Sequence, residues 1–172
     1  LLNGVPVNDQ STTQGLHDFG VDFIQTIHQV EVYSGSNGSH FGPNAIGGAI
    51  NFITTGDFRN SFEVSGFNNK NNSSRGNYTL MTDSNWIFNL KGGLVNSKTD
   101  SAIQGGSEKD SSKNLSGNFN AEKWINDNIK FRANAYSRRT ISEYDSSSTI
   151  EEDYKGDNLM YVAQFGFDHI KK

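Results

Sequence analysis

Apolar and polar residues alternate with a period of two along most of the chain after residue 60. Such alternation is typical of a β-strand with one face in an apolar medium and the other face in a polar one. Six segments show it: Phe62–Gly66, Tyr78–Leu80, Trp86–Leu94, Leu115–Ala121, Ile129–Ala135 and Leu159–Phe167. The pattern therefore predicts six strands that follow one another along the chain.

The predicted connections between these strands differ in length. Two are short, Asp83–Asn85 and Asn126–Asn128, and three are longer, Asn68–Arg75, Lys98–Lys113 and Ile141–Asp157. Short turns at one end of a sheet and longer loops at the other are typical of transmembrane β-barrels. Trp86 and Trp124 flank the short turns, so we expect both at one membrane boundary, as in an aromatic girdle. A soluble or surface-attached antiparallel sandwich that binds glycan or protein would show the same alternation, and both folds stay open at this point.

The first part of the chain has a different pattern. Two extended apolar runs, Ile27–Tyr33 and Ala49–Thr54, flank a glycine-rich centre, and a short helical turn is expected within Phe23–Gln29. Glycine reaches φ > 0 without a Cβ clash, which suits tight turns between two strands. The glycines expected to serve this structural role are Gly35, Gly38, Gly42, Gly47 and Gly48.

Three motifs in this region resemble the C-terminal part of the plug domain of TonB-dependent outer-membrane receptors. They are Leu2–Asp9 (LNGVPVND), Thr26–Gly35 (TIHQVEVYSG) and Gly38–Thr54 (GSHFGPNAIGGAINFIT), in the family's order. The departures are Asn3, Ser34, Ser36 and His40-Phe41, where the family often has Asp, Arg, Pro and Leu-Tyr. The resemblance covers roughly the first third of the chain.

The resemblance implies an all-β fragment of a plugged transmembrane antiparallel β-barrel. Residues 1–56 would be the end of a small mixed plug domain, and residues 57–172 the first six strands, in a meander. The implied function is TonB-dependent import of a scarce large ligand, cobalamin or a ferric siderophore, across the outer membrane of a Gram-negative bacterium. The TonB complex would contact an upstream segment absent here, since the chain starts inside a motif. The barrel strands would contact lipid, and the polar faces with Lys91, Glu122, Lys130 and Arg132 would face the lumen and plug.

The resemblance also implies where the ligand would bind. In this family the plug loop after the first motif rises to the outer side and touches the ligand. That loop corresponds here to Asn8, Asp9, Gln10, Ser11, Thr12, Thr13, Gln14 and His17. By position alone, Asp100, Glu108 and Asp110 match a loop that binds calcium in vitamin B12 receptors, although their spacing is not that of an EF-hand and a solvated loop is the default reading. No other cofactor is expected.

Composition narrows the alternatives. Only 33% of the 172 residues are hydrophobic, which is little for a large soluble core, and the net charge of −4 argues against a nucleic-acid partner. The absence of cysteine excludes disulfides and thiolate metal sites. No run reaches the ~20 apolar residues of a transmembrane helix. A hydrolase using Ser11, His17 and Asp18 is the enzymatic alternative, but no nucleophile elbow is present, and we do not expect an enzyme.

Overall fold

The computed structural model describes residues 1–8, 24–36, 38–42, 45–67, 71–98, 111–147 and 150–170. Within these ranges the chain is all-β apart from two single helical turns. The elements are a 3₁₀ turn (Ile24–Thr26), β1 (Gln29–Ser34), the turn α1 (Gly38–Phe41), β2 (Gly48–Ile53), β3 (Ser61–Phe67), β4 (Asn71–Met81), β5 (Trp86–Lys98), β6 (Ser111–Trp124), β7 (Ile129–Ser147) and β8 (Ile150–His169). None of the helical segments in these ranges has the length and apolar character needed to cross a membrane.

Strands β3 to β8 form one sheet in sequential order, and every neighbouring pair is antiparallel. The prediction of six consecutive antiparallel strands is therefore confirmed. Within the described residues β3 and β8 each pair on one side only, so the sheet is open. The boundary between residues 56 and 57 stays a prediction.

Two of the predicted loops are wrong. Residues Ile141–Asp157 are mostly strand, because β7 continues to Ser147, β8 begins at Ile150, and Ile141 pairs with Asp157. Strand β4 likewise begins at Asn71, inside the predicted loop Asn68–Arg75. Backbone groups make the bonds of a β-ladder, so polar residues continue it after the apolar alternation has ended. The predicted alternation of long and short connections therefore fails at β3–β4 and β7–β8, and most of Lys98–Lys113 lies outside the described residues.

The two faces of the six-stranded sheet differ in chemistry and in burial. We call one the apolar face; its exposed large side chains are Phe62, Val64, Tyr78, Leu80, Leu90, Leu115, Phe119, Leu159, Tyr161, Phe165 and Phe167. We call the other the polar face; its buried side chains are Asn89, Lys91, Asn114, Ser116, Asn118, Asn120, Asn134, Arg138 and Thr140, with Tyr136 among them. Burial is thus reversed from that of a soluble domain, where apolar side chains are inside.

An aromatic cluster marks one end of the apolar face. Trp86 stacks on Phe88 at 5.4 Å between ring centroids and meets Phe131 edge-on at 6.0 Å, and Phe131 lies 5.4 Å from Phe167. The expectation for Trp124 is wrong in one respect. It lies at the same end as Trp86 but pairs with Lys130, whose ammonium lies over its ring on the polar face.

The small sheet contains β1 and β2, paired antiparallel from Gln29↔Ile53 to Ser34↔Gly48. Leu2 adds a parallel bridge to Phe52 on the free side of β2, so the pairing in this region is mixed. Three of the five singled-out glycines have positive φ: Gly35 (+79°), Gly42 (+92°) and Gly48 (+140°). Gly38 begins α1, and Gly47 precedes β2.

Gly48 is the glycine whose replacement we expect to matter. A Cβ there would lie 2.5 Å from the Tyr33 carbonyl oxygen, whereas a Cβ at Gly47 would meet nothing within 4 Å. We expect Gly48→Ala to weaken the β1–β2 pair by about 1–3 kcal/mol, because the positive φ and the backbone clash both oppose a side chain. Hydrogen exchange of the β2 amides in the full chain measures this. Gly47→Ala is the matched control, and equal exchange in both variants would contradict the prediction.

Candidate functional site: the interface between the amino-terminal unit and the polar face

The amino-terminal unit, meaning the described residues from 1 to 56, lies against the polar face of the six-stranded sheet. Its 3₁₀ turn comes so close to β5 that a Cβ at Gly93 would lie 2.5 Å from the Gln25 Cβ. Glycine at this position lets the turn approach the sheet. The interface is therefore built from close backbone approach and polar side chains.

Thr54 is the centre of one part of this interface. Its side chain is fully buried, and three amide nitrogens converge on its Oγ1: Asn3 Nδ2 at 2.9 Å, Asn118 Nδ2 at 3.0 Å and Asn134 Nδ2 at 3.2 Å. Asn3 also donates to Asn134 Oδ1 at 3.0 Å, and Gln164 Nε2 donates to the Asn3 carbonyl at 3.0 Å. We call Asn3, Thr54, Asn118, Asn134 and Gln164 the Thr54 cluster. It joins the amino-terminal unit to β6, β7 and β8.

Lys91 adds the one charged contact across this interface among the described residues. Its side chain is buried, and Nζ donates to the Thr54 backbone carbonyl at 2.7 Å. Hydrogen bonds with an ionised donor are stronger than neutral ones. Thr54, which directly follows β2, is thus held to the sheet through both its hydroxyl and its carbonyl.

An amide row crosses the polar face beside the Thr54 cluster. The register aligns Thr79, Asn89, Asn120, Asn134 and Gln164 on five neighbouring strands. Asn89 donates to Thr79 Oγ1 at 2.9 Å, Asn120 donates to Asn89 Oδ1 at 3.2 Å, and Asn134 donates to Asn120. Because each of the three asparagines both donates and accepts, the row satisfies buried polar groups without using charge.

A different arrangement closes the other side of the interface. The carbonyl of Asp57 accepts from Asn77 Nδ2 at 3.1 Å and from Asn89 Nδ2 at 3.2 Å. The Asp57 carboxylate accepts from the Arg59 side chain and backbone, both at 3.2 Å, and these hydrogen bonds hold the pKa of Asp57 below its ordinary value. This pair lies within the linker, meaning residues 54–60 between β2 and β3, and does not reach across to the sheet.

The two sides of the interface enclose unequal cavities. A polar cavity of about 540 Å³ lies between the 3₁₀ turn, the linker and β3–β5. Its lining includes Thr26, Asp57, Arg59, Glu63, Arg75 and Lys91. Near the Thr54 cluster the cavity is only about 150 Å³, and Thr55, Asn120 and Arg132 are among its lining residues.

A second hydrogen-bonded chain organises the small sheet itself. The Gly4 N–H donates to Asn51 Oδ1 at 2.9 Å, and Asn51 Nδ2 donates to Glu31 Oε2 at 2.9 Å. The Tyr33 hydroxyl donates to the same carboxylate oxygen at 2.8 Å. The bonds from Asn51 and Tyr33 hold the pKa of Glu31 below its ordinary value. The bond from Gly4 fixes the start of the first motif against β2, and Asn51 links it onward to Glu31 on β1.

Most of the predicted site residues lie outside the described part of the chain. This applies to Asp9, Gln10, Ser11, Thr12, Thr13, Gln14 and His17 of the predicted ligand loop, to Asp18, and to Asp100, Glu108 and Asp110 of the predicted calcium site. Asn8 is described and is partly buried. No group of three or more potential metal ligands occurs among the described residues. The ligand loop and the calcium site remain predictions.

Four charged side chains of the polar face were expected to point toward a plug. Of these, Lys91 contacts the amino-terminal unit. Glu122 and Lys130 instead pair with each other at 3.1 Å, and Arg132 pairs with Asp168 at 2.6 Å. The Thr54 cluster and the amide row were not predicted. The available signal was the alternate positions of β6 that lie between the apolar ones: three of the four are asparagine, Asn114, Asn118 and Asn120, and the fourth is Ser116.

Comparison with known proteins adds no identification: no protein-family model matches the chain, and a search of the curated proteins finds no match.

Proposed function

We propose that the chain is part of a TonB-dependent outer-membrane receptor that imports a scarce large ligand, either cobalamin or a ferric siderophore. The observation that carries this proposal is the reversed burial of the six-stranded sheet. Its apolar face is exposed, and its polar face is covered by the amino-terminal unit. A sheet with this arrangement fits a lipid-facing wall around a polar filling.

The dimensions of the apolar band support a membrane location. On β5 it runs from Trp86 to Leu94, and on β8 from Leu159 to Phe167, which is nine residues in each case. A tilted strand needs about 9–11 residues to cross the hydrocarbon core. Charged residues lie at one end of the band: Asp157, two residues before Leu159 on β8, pairs with Arg139 at 2.7 Å. The aromatic cluster around Trp86 lies at its other end, as membrane interfaces favour.

The amino-terminal unit supports the plug half of the proposal. It is a small mixed β unit with glycine at tight positions, and it carries the three motifs that resemble the family. On this proposal, ligand binding uses the loop Asn8–His17, and calcium, where present, uses Asp100, Glu108 and Asp110. TonB acts through a segment upstream of Leu1, and no covalent chemistry occurs. The soluble sandwich has less support, because no second sheet covers the apolar face within the described residues.

Fractionation of the full-length protein in a Gram-negative host tests the proposal. We expect it in the outer membrane, with capture of radiolabelled cyanocobalamin or of a ferric hydroxamate siderophore at the cell surface. Deleting Asn8–Asp18 is expected to abolish capture and to leave membrane insertion unchanged, because the strands that face lipid are untouched. The matched control replaces the same residues with a Gly/Ser segment of equal length. Recovery of the protein as a folded, detergent-free soluble species would overturn the proposal.

A further inference from the structure

The larger of the two cavities at this interface leads from solvent to buried polar groups. We call it the Lys91 cavity; it has about 540 Å³ and lies between the 3₁₀ turn, the linker and β3–β5. Two of its lining side chains are open to solvent, those of Arg59 and Arg75, which are 87% and 52% exposed. Two others are buried, since Lys91 is 6% exposed and Thr26 is 1% exposed. The cavity therefore has cationic groups both at its mouth and in its interior.

Lys91 is the cation of this cavity that no carboxylate neutralises directly. Arg59 pairs with Asp57 at 3.2 Å. Arg75 pairs with Glu63 at 2.5 Å. None of the ion pairs among the described residues includes Lys91. The attraction of Lys91 contributes to the lowered pKa of Asp57, but the bonds from Arg59 contribute more. With three cations and two carboxylates, the lining carries one net positive charge, and a buried charge is normally compensated by a partner.

The interior of the cavity also contains hydrogen-bond donors that are not used. The Lys91 ammonium has three hydrogens, and its hydrogen bond in the structure is to the Thr54 carbonyl. The Thr26 hydroxyl is buried and has no hydrogen-bond partner among the described residues. A buried polar group without a partner is costly, so each such group calls for an explanation. An acceptor placed inside the cavity would satisfy both side chains at once.

We propose that the Lys91 cavity binds a small oxyanion, either phosphate or a carboxylate group, between the Lys91 ammonium and the Thr26 hydroxyl. An oxyanion supplies the negative charge that the lining lacks, and its several oxygens accept hydrogen bonds from both donors. Arg59 and Arg75 attract the anion at the mouth, where their planar guanidinium groups suit phosphate and carboxylate oxygens. The volume lies within the range of small-molecule sites, so the anion enters with water or with an attached organic group.

The anion would be shared by three parts of the chain that meet at this cavity. Thr26 belongs to the amino-terminal unit, Arg59 belongs to the linker, and Lys91 lies on β5 of the sheet. A ligand that binds only the folded arrangement stabilises it in proportion to its concentration over its Kd. Oxyanion binding is therefore expected to stabilise the packing of these parts. The proposal goes beyond ligand import and does not depend on it.

Calorimetric titration of the full-length protein with inorganic phosphate tests the proposal. The protein is kept in non-ionic detergent micelles, and sodium chloride holds the ionic strength constant. We expect saturable binding of phosphate that chloride does not reproduce. Sodium acetate is the second probe: binding of phosphate alone assigns the site to phosphate groups, and binding of both assigns it to oxyanions in general. Binding of neither would overturn the proposal.

Three variants connect the binding to this cavity. Lys91→Met is expected to weaken phosphate binding roughly 10-fold or more, which is the size of one charge-assisted hydrogen bond. Thr26→Val is expected to weaken it roughly 2- to 10-fold, which is the size of one neutral hydrogen bond. Lys130→Met is the matched control, because this lysine of the polar face pairs with Glu122 and does not line the cavity. Equal affinity in all three variants and the unaltered protein would overturn the proposal.

Hydrogen exchange at residues 24–28 separates anion binding from a purely structural role of Thr26. Without phosphate, Thr26→Val is expected to exchange no faster than the unaltered protein, because the hydroxyl has no hydrogen bond to lose. Phosphate at ten times its Kd is expected to slow exchange in the unaltered protein roughly 11-fold, and in Thr26→Val by less. Equal slowing in both proteins would overturn the proposal. Failure of ligand capture at the cell surface would overturn the proposed function and leave these results unchanged.

Discussion

Leu90→Arg is expected to destabilise the six-stranded sheet in lipid by about 2–4 kcal/mol. Leu90 is the third of five successive outward positions on β5, midway between Trp86 and Leu94, and it is exposed on the apolar face. An arginine at the lipid-facing midplane of a β-barrel costs about 2–4 kcal/mol, and one near the interface about 0–1 kcal/mol. Urea titration of full-length protein folded into phospholipid vesicles measures the difference.

The matched control is Asn96→Arg, on the same strand and the same face but beyond the apolar band. Asn96 donates to Asn72 Oδ1 at 3.0 Å in an exposed bond, so its loss is expected to cost little. A soluble sandwich predicts a different pattern, in which Leu90→Arg disrupts a buried core and prevents folding in water as well. If Leu90→Arg and Asn96→Arg fold equally well into vesicles, the apolar face does not contact lipid.

Thr54→Val is expected to loosen the amino-terminal unit from the sheet. The substitution keeps the shape of the side chain but leaves the amides of Asn3, Asn118 and Asn134 without their common acceptor. Each buried donor left unsatisfied costs about 1–3 kcal/mol, and entering water recovers part of it, so we expect a loss on the order of 3 kcal/mol. Hydrogen exchange of the backbone amides in residues 1–8 and 45–60 of the full-length protein reports this loss.

Thr55→Val is the control for this substitution, because it makes the same chemical change one residue later at a partly buried position. Thr54→Ser restores the hydroxyl and is expected to recover most of the protection. If Thr54→Val and Thr55→Val exchange at the same rate, the cluster does not hold the unit in place.

The strands of this protein follow from its sequence more readily than their ends do. Between Trp86 and Leu94 the alternation is strong because one face of β5 is apolar throughout. Between Ser142 and Asp157 both faces carry polar residues, so alternation vanishes although the backbone ladder continues. The face of Trp124 was misjudged for a related reason. Its distance from the turn places it at the expected end of the sheet, but its position on β6 has the parity of Asn118 and Asn120, which lie on the polar face.

The interface between the amino-terminal unit and the polar face follows less directly from the sequence than the strands do. Asparagine usually indicates turns and loops, since its side chain competes for backbone hydrogen bonds. Here Asn118, Asn120 and Asn134 lie in the middle of strands and are buried, and Asn118 and Asn134 donate to Thr54 of the amino-terminal unit. Thr54 meets Asn134 across 80 positions of sequence, and no local pattern encodes such a meeting. Strands that pair within the meander follow one another in the sequence, whereas the residues that bond to the amino-terminal unit lie far from it in the sequence.

The sequence separations in the Thr54 cluster have a consequence for biosynthesis. Asn3 binds residues 131 and 161 positions later, on β7 and β8, although Asn3 is made before either strand. Hairpins between neighbouring strands need only short loops to close, whereas the bonds of Asn3 require the last strand of the meander to be in place. The amino-terminal unit therefore completes its docking only after β8 has formed. Until then the side chain and carbonyl of Asn3 have only water as a partner for the bonds that they later make with Asn134 and Gln164.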